Sequence, residues 1–326
     1  MPKAFVTGAT GFLGLNLVEQ LTAAGWDVLA LHRPTSDLSV LGTFPVERVE
    51  GDLLDVASLK SALPQGVDAV FHVAADTSVW SRNDERQTRV NLEGTANMLA
   101  AARAAGTRRF LHTSTWNTYG LEQGALHEEL PQLGGRSWIN YNRTKFLAEE
   151  EVRIAVRNGL DAVILNPCHI MGRYDRHSWA RIIIDLCNRW IPVAPPGAGC
   201  FCHGEAVARA QIAAVERGRA GHNYLLGGEY HSLLEVFRTV GQVAGRRVPR
   251  CTAPAALFKG VARLNVALAG LFGYEPEITP EGVEMVSLSV RTATTRAQDE
   301  LGYQHVPLRP IIEDSYGWLK AQGVVR

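Results

Sequence analysis

The chain has 326 residues, of which 46% are hydrophobic and 20% charged, with 33 basic residues balancing 33 acidic ones and a pI near 7.2. A chain of this size builds a core without needing disulfides or structural metals. The balanced charge excludes a global basic field for nucleic acid, and no polybasic run points to an anionic membrane surface.

In chain order, the first half alternates short β-rich runs with amphipathic stretches. Strands are predicted at 3–7, 28–32, 46–50, 69–73, 109–113 and 162–166. Helices are predicted over 12–24, 55–63, 87–105 and 141–158, each closed by Gly25, Pro64, Gly106 or Gly159. This alternation predicts an α/β fold with a Rossmann-type doubly wound parallel sheet. After Pro167 it loosens into Pro- and Gly-rich loops with isolated helices at 178–190 and 205–217, a capping box at Ser232 and Glu235, a helix start at Pro280-Glu281 and a helix over 308–319. Residues 1–167 plus about 203–227 are therefore read as the dinucleotide-binding domain, and about 168–202 with 228–326 as a smaller, mostly helical substrate lobe.

The apolar stretch from Val261 to Phe272 is interrupted by Arg263 and Asn265 and is too short to span a bilayer, so it is read as a buried or partner-facing helix. Five cysteines (Cys168, Cys187, Cys200, Cys202 and Cys251) are an odd number, and Met1-Pro2-Lys3 runs straight into a strand, so a reduced cytoplasmic protein is expected. Cys200-Phe201-Cys202-His203 has no second ligand pair nearby and is read as two buried thiols, with no metal expected.

Thr7-Gly8-Ala9-Thr10-Gly11-Phe12-Leu13-Gly14 joins the first strand to the first helix, where backbone N–H groups of a tight turn meet a pyrophosphate. Gly8 permits the turn, Gly11 admits the phosphate and Gly14 brings the helix close to the sheet. Arg33, after the second strand, stands where an acidic residue would bind the ribose hydroxyls and suits a 2′-phosphate, which favours NADP over NAD. Asp52 and Leu53 suit the adenine; the plainer reading is a turn with an Asp cap.

Tyr141 and Lys145 stand one helical turn apart, and a nearby cation lowers a phenol's pKa toward useful acid/base range. Thr113-Ser114-Thr115 ends the fifth strand. Together with the glycine loop, His72-Val73-Ala74-Ala75, Asn91 to Thr95, Tyr141 to Lys145 and Asn166-Pro167, this resembles the extended short-chain dehydrogenase/reductase family over nearly the whole chain. Leu31 to Asp37, Tyr224 to Glu229 and Gly245 to Pro249 resemble its dihydroflavonol reductase-like and hopanoid-associated epimerase-like branches.

The resemblance implies Tyr141 as acid/base, Lys145 on the nicotinamide ribose, Thr115 on the reacting oxygen and Asn91 in support. It also implies cofactor contacts from Ala74, Ala75, Thr113, Pro167 and His169. Trp116 and Asn117 replace the Asp-Glu pair of the family's sugar-nucleotide dehydratases, and neither does that proton work. Trp80, Trp116, Asn117, Met171, Arg173, Trp179 and Phe201 are the candidate substrate residues. Relatives usually carry an acidic residue at Ala206, which puts an interlobe contact in question.

The expected activity is reduction of a ketone or aldehyde, or oxidation of the alcohol, by hydride transfer. The alternative is a nucleotide-sugar epimerase retaining NAD, which needs cations such as Arg173, Arg176, Arg181, Arg209 and Arg246 for a diphosphate. A non-catalytic NADP sensor is a third reading, disfavoured because Tyr141 and Lys145 are both present. The expected partner is a small molecule, without nucleic acid or a membrane span, and the helices at 87–105 and 141–158 are a candidate homodimer surface.

Overall fold

Short apolar runs separated by helices form a sheet only if each run is covered on both faces, and that requirement shapes the chain. The computed structural model describes residues 1–120 and 124–326. In order, the chain holds β1 (Lys3–Thr7), α1 (Phe12–Ala23), β2 (Asp27–His32), β3 (Glu47–Glu50), α2 (Val56–Ala62), β4 (Ala69–His72), α3 (Asp84–Thr88), α4 (Gly94–Ala104) and β5 (Arg109–Thr113). It continues through β6 (Gly124–Leu126), α5 (Asn140–Arg157), β7 (Ala162–Pro167), β8 (His169–Met171), α6 (Ala180–Asn188), β9 (Ala198–His203), α7 (Gly204–Arg217) and β10 (Asn223–Leu226). The remainder is β11 (Glu229–Ser232), α8 (Leu233–Ala244), α9 (Ala255–Phe272), α10 (Pro280–Val286), β12 (Val290–Thr292), α11 (Thr295–Leu301) and α12 (Leu308–Ala321).

Seven strands pair in parallel in the order β10-β7-β5-β4-β1-β2-β3. Alternate residues of β1 feed opposite faces: Ala4 and Val6 join one core with Leu17 and Leu21 of α1, whereas Phe5 joins the other with Met98 of α4 and Val152 of α5. The strand order reverses between β1 and β4, and the crevice at their carboxyl ends is where an open α/β sheet receives its ligand.

Three sequence expectations change. The helix read over 87–105 is interrupted, because Arg89–Glu93 forms a π-turn between α3 and α4. The stretch after Pro167, read as loops with isolated helices, holds β8 and β9, which pair with β11 in a three-stranded sheet. The stretch from Val261 belongs to α9, an 18-residue helix that is long and apolar enough to cross a membrane by length and composition, which corrects the expectation that it is too short, and only Ala262 and Ala269 of that helix are buried. The second lobe has its own core, in which Met171, Ile183, Phe201, Val236, Phe237 and Ile311 meet.

Candidate active site

The glycine loop is shaped by contacts that a Cβ would break. Gly8 has φ +71°, and a Cβ there would stand 2.7 Å from the Ala74 nitrogen, so the loop lies against the residues that follow β4. A Cβ on Gly14 would fall 2.0 Å from the Gly8 carbonyl oxygen. A Cβ on Gly11 would meet only the Gly8 oxygen, at 3.4 Å. Gly11 caps α1 without a side-chain bond, and the first turn holds no acidic residue, so helix N–H groups remain available to an anion. This cradle fits a dinucleotide pyrophosphate. Leu13 is buried in the core, Phe12 packs against the start of α7 at Gly204, and Thr10 is half-buried at the loop.

At the end of β2 the Arg33 side chain is exposed. Asp52 closes a turn onto the Leu54 N–H at 2.9 Å, the arrangement of the plainer reading, while Leu53 is buried and packs beneath Gly94.

A buried chain of hydrogen bonds ties this loop to the π-turn. The Ala74 N–H donates to Thr7 Oγ1 (3.3 Å), the Thr7 hydroxyl donates to His72 Nδ1 (2.9 Å), and His72 Nε2–H donates to Thr95 Oγ1 (3.0 Å). The Thr95 hydroxyl gives its own proton to the Asn91 carbonyl (2.6 Å), which assigns this imidazole tautomer. Burial, reinforced by the Lys145 charge, pushes His72 down to about 3, so the ring is neutral. Asn91 grips the backbone of Asp76 from both ends of its amide (2.7 and 2.9 Å) and also donates to Thr144 Oγ1 (3.2 Å). It therefore positions the segment that follows Ala75 against α5.

Thr115, Tyr141 and Lys145 converge beyond the carboxyl end of β5. The Thr115 oxygen accepts from both the backbone N–H and the Nδ2 of Asn117, each at 3.3 Å, which leaves the Thr115 proton for an oxygen on its other side. Burial pushes the Tyr141 phenol up to about 12, and the Thr115 hydroxyl offsets part of the rise. Lys145 donates to the Thr113 carbonyl at 2.7 Å, and burial pulls its ammonium down to about 8. Desolvation is the dominant influence on Tyr141.

Ser114, the other hydroxyl of the triplet, is turned away and donates to Glu149 Oε1. Glu149 has no solvent exposure and also accepts from Gln132, Arg153, Asn166 and Asn223. Its charge opposes the fall of the Lys145 pKa. Sequence reasoning missed this carboxylate. The available signal was its place one turn after Lys145 and two after Tyr141, on one helix face.

The NAD dependent epimerase/dehydratase family matches residues 4–227. The chain belongs to this family. It is 33% identical over 325 residues to sterol demethylase protein B of Methylococcus capsulatus, covering 98% of this chain and 99% of that protein. It is 31% identical over 330 residues to a putative dihydroflavonol 4-reductase of Synechocystis, covering 99% and 96%. The crystal structure of gox2253 superposes with a TM-score of 0.84 at 32% identity, covering all of both chains. The protein is a nicotinamide-dependent oxidoreductase or epimerase of the extended short-chain dehydrogenase/reductase type.

Aromatic rings gather around His169. Its ring centroid lies 5.6 Å from Trp116, 4.6 Å from Trp179 and 5.2 Å from Phe201, and burial pushes it down to about 4, so it is neutral. Met171 and Phe201 are both buried in the lobe core, and Trp116 is buried in a smaller cluster with Tyr119 and Leu126, so of the predicted substrate residues these three are core side chains. Trp80 is half-buried, its indole N–H is without a partner, and Arg82 lies over its ring.

Arg173 is committed elsewhere. It pairs with Asp314 (2.9 Å) and Glu19 (3.1 Å), with Glu205 at 3.8 Å. These bonds join α1, α7 and α12 and supply an ionic interlobe contact, while Ala206 packs into the core. Arg181 pairs with Glu277, Arg209 with Glu205, and Arg246 donates to the Arg326 carbonyl. Arg176 lies over the Trp318 ring. Cys200 and Cys202 are buried on β9, and Cys168 lies 2.9 Å from Thr292 Oγ1.

Proposed function

We infer that the protein is an NADP-dependent reductase or dehydrogenase that interconverts a ketone or aldehyde with its alcohol on a bulky, largely apolar substrate. The observation that carries this reading is the aromatic cluster that Trp116, the residue after Thr115, forms with His169, Trp179 and Phe201. Rings and a neutral imidazole favour an apolar carbon skeleton over a nucleotide-sugar diphosphate. The cations that the epimerase reading requires are engaged, since Arg173, Arg181 and Arg209 are all in ion pairs. The names of the two relatives, one of sterol and one of dihydroflavonol chemistry, agree with a ring-bearing apolar substrate.

In this reading Thr115 donates to the reacting oxygen, its polarity set by Asn117. Tyr141 moves the proton to or from that oxygen. Lys145, anchored on the Thr113 carbonyl, holds the ribose end of the cofactor. A bound nicotinamide supplies or accepts the hydride. The exposed Arg33 guanidinium suits a 2′-phosphate.

The test is turnover of ring ketones and secondary alcohols with each nucleotide, followed by nicotinamide absorbance. Tyr141→Phe should lower kcat by about a hundredfold or more with little change in nucleotide affinity. Tightly retained NAD that survives purification, with no preference for NADPH, would overturn the reading in favour of the epimerase.

A further inference from the structure

Leu257, Val261, Leu264, Leu268, Leu271 and Phe272 of α9 are among the exposed large hydrophobic side chains. An 18-residue helix in a folded domain ordinarily turns its apolar side inward, but α9 turns it outward. Leu257, Val261, Leu264, Leu268 and Leu271 follow one another at spacings of four, three, four and three, which puts them on one stripe. All five are exposed: Leu264 is 62% and Leu271 76% accessible, and Phe272 at the end of the helix is 71% accessible. The opposite side is held down at a few points. Lys259 pairs with Glu284 of α10 at 2.6 Å, Ala262 and Ala269 are buried, and Gly273 closes the helix in the left-handed conformation.

The charge around the helix is one-sided. From Arg246 to Gly273 the chain carries Arg246, Arg247, Arg250, Lys259 and Arg263 and no acidic residue, in a protein whose total charge is zero. Arg247, Arg250 and Arg263 are exposed and form no ion pair among the described residues. Trp190, 70% exposed, precedes the stretch at Ala194 that bonds to Cys251 and Ala253, just ahead of α9. An apolar stripe about 21 Å long, flanked by unpaired cations and an exposed indole, is complementary to a lipid surface bearing negative charge. Lys259, Arg263 and Asn265 within the helix argue against its crossing the bilayer.

We propose that α9 is an interfacial helix that seats the protein on an anionic lipid surface. This reverses the expectation from overall composition, which counted charge over the whole chain and could not see that one helix keeps its apolar face outside. The placement suits a lipophilic substrate. The end of α9 adjoins the segment carrying Trp80: Asn83 donates to Glu275 at 3.0 Å, and the Arg82 guanidinium packs against Gly270. Lipid binding nevertheless stands independently of the substrate, since its readout needs no turnover.

The experiment is flotation of the full-length protein with vesicles of phosphatidylcholine alone and with vesicles containing about one-third phosphatidylglycerol. The wild type is expected to float with the anionic vesicles and several-fold less with the neutral ones. Arg247→Glu/Arg250→Glu should weaken anionic binding about tenfold or more. Leu264→Glu/Leu268→Glu should abolish flotation while nucleotide affinity and Tm stay at wild-type values, which shows that the variant folds. A wild type that floats with neither vesicle overturns the proposal. So does an oligomer by size-exclusion light scattering that Leu264→Glu/Leu268→Glu dissociates without any flotation, because a second copy then covers the stripe. Equal binding to both vesicles overturns the requirement for anionic lipid.

Discussion

Asn117 donates twice to Thr115, through its backbone N–H and its side-chain amide, both at 3.3 Å to the same hydroxyl oxygen. This fills the acceptor side of Thr115 and leaves its proton for an oxygen on its other side. Asn117→Ala keeps the backbone donor and should lower kcat about tenfold, consistent with losing one bond of about 1 kcal/mol. Thr115→Val removes the proton itself and should cost more, about a hundredfold. Nucleotide affinity should stay near wild type in both. Equal kcat in Asn117→Ala and wild type would show that the backbone bond suffices.

Glu149 is a buried carboxylate that serves Ser114, Gln132, Arg153, Asn166 and Asn223 at once. Glu149→Ala strands those donors and should destabilise the fold by about 3 kcal/mol, measured by urea unfolding. It also removes the charge that holds up the Lys145 pKa, so that pKa should fall further below about 8. Glu149→Gln retains acceptor capacity and should recover part of the stability but none of the electrostatic effect. A Lys145 titration unchanged in both variants would remove Glu149 from the active-site argument.

The exposed Arg33 side chain is the basis for preferring NADP. Arg33→Ala should weaken NADPH binding by about 2 kcal/mol and leave NADH binding nearly unchanged. The two dissociation constants, measured side by side at low and high salt, check this. A uniform loss for both nucleotides would place Arg33 on a phosphate common to them.

Three buried histidines make stability depend on pH. Burial holds His72 at about 3, His169 at about 4 and His112 well below its ordinary value near 6.5. As pH falls below 6.5 the unfolded chain takes up protons that the folded chain refuses, so stability rises with pH in this window and is lost on acidification toward 4. The urea midpoint should therefore drop between pH 6.5 and 4. His169→Phe keeps a ring among Trp116, Trp179 and Phe201 and removes one titrating group, so its slope should be shallower by about one proton. An identical slope would mean that His169 is protonated in the folded protein.

Spacing within a short window settled much of this protein. Alternation of strands and helices set the parallel sheet, the Thr7 to Gly14 run set the turn into α1, and Tyr141 with Lys145 shared a face because the helical period requires it. What lay beyond the window was decided by folding. Ser114 meets Glu149 from 35 residues away, Arg173 meets Asp314 from 141, and the Asn16 side chain meets the Arg173 carbonyl from 157. A sequence names an arginine or a carboxylate but not its partner, and the partner decides whether a charge is free for a ligand or spent inside the fold. The direction of α9 is of the same kind. Its stripe of leucines is plain in the sequence, yet periodicity defines only the face. Which neighbours leave that face in solvent is a property of the tertiary structure alone.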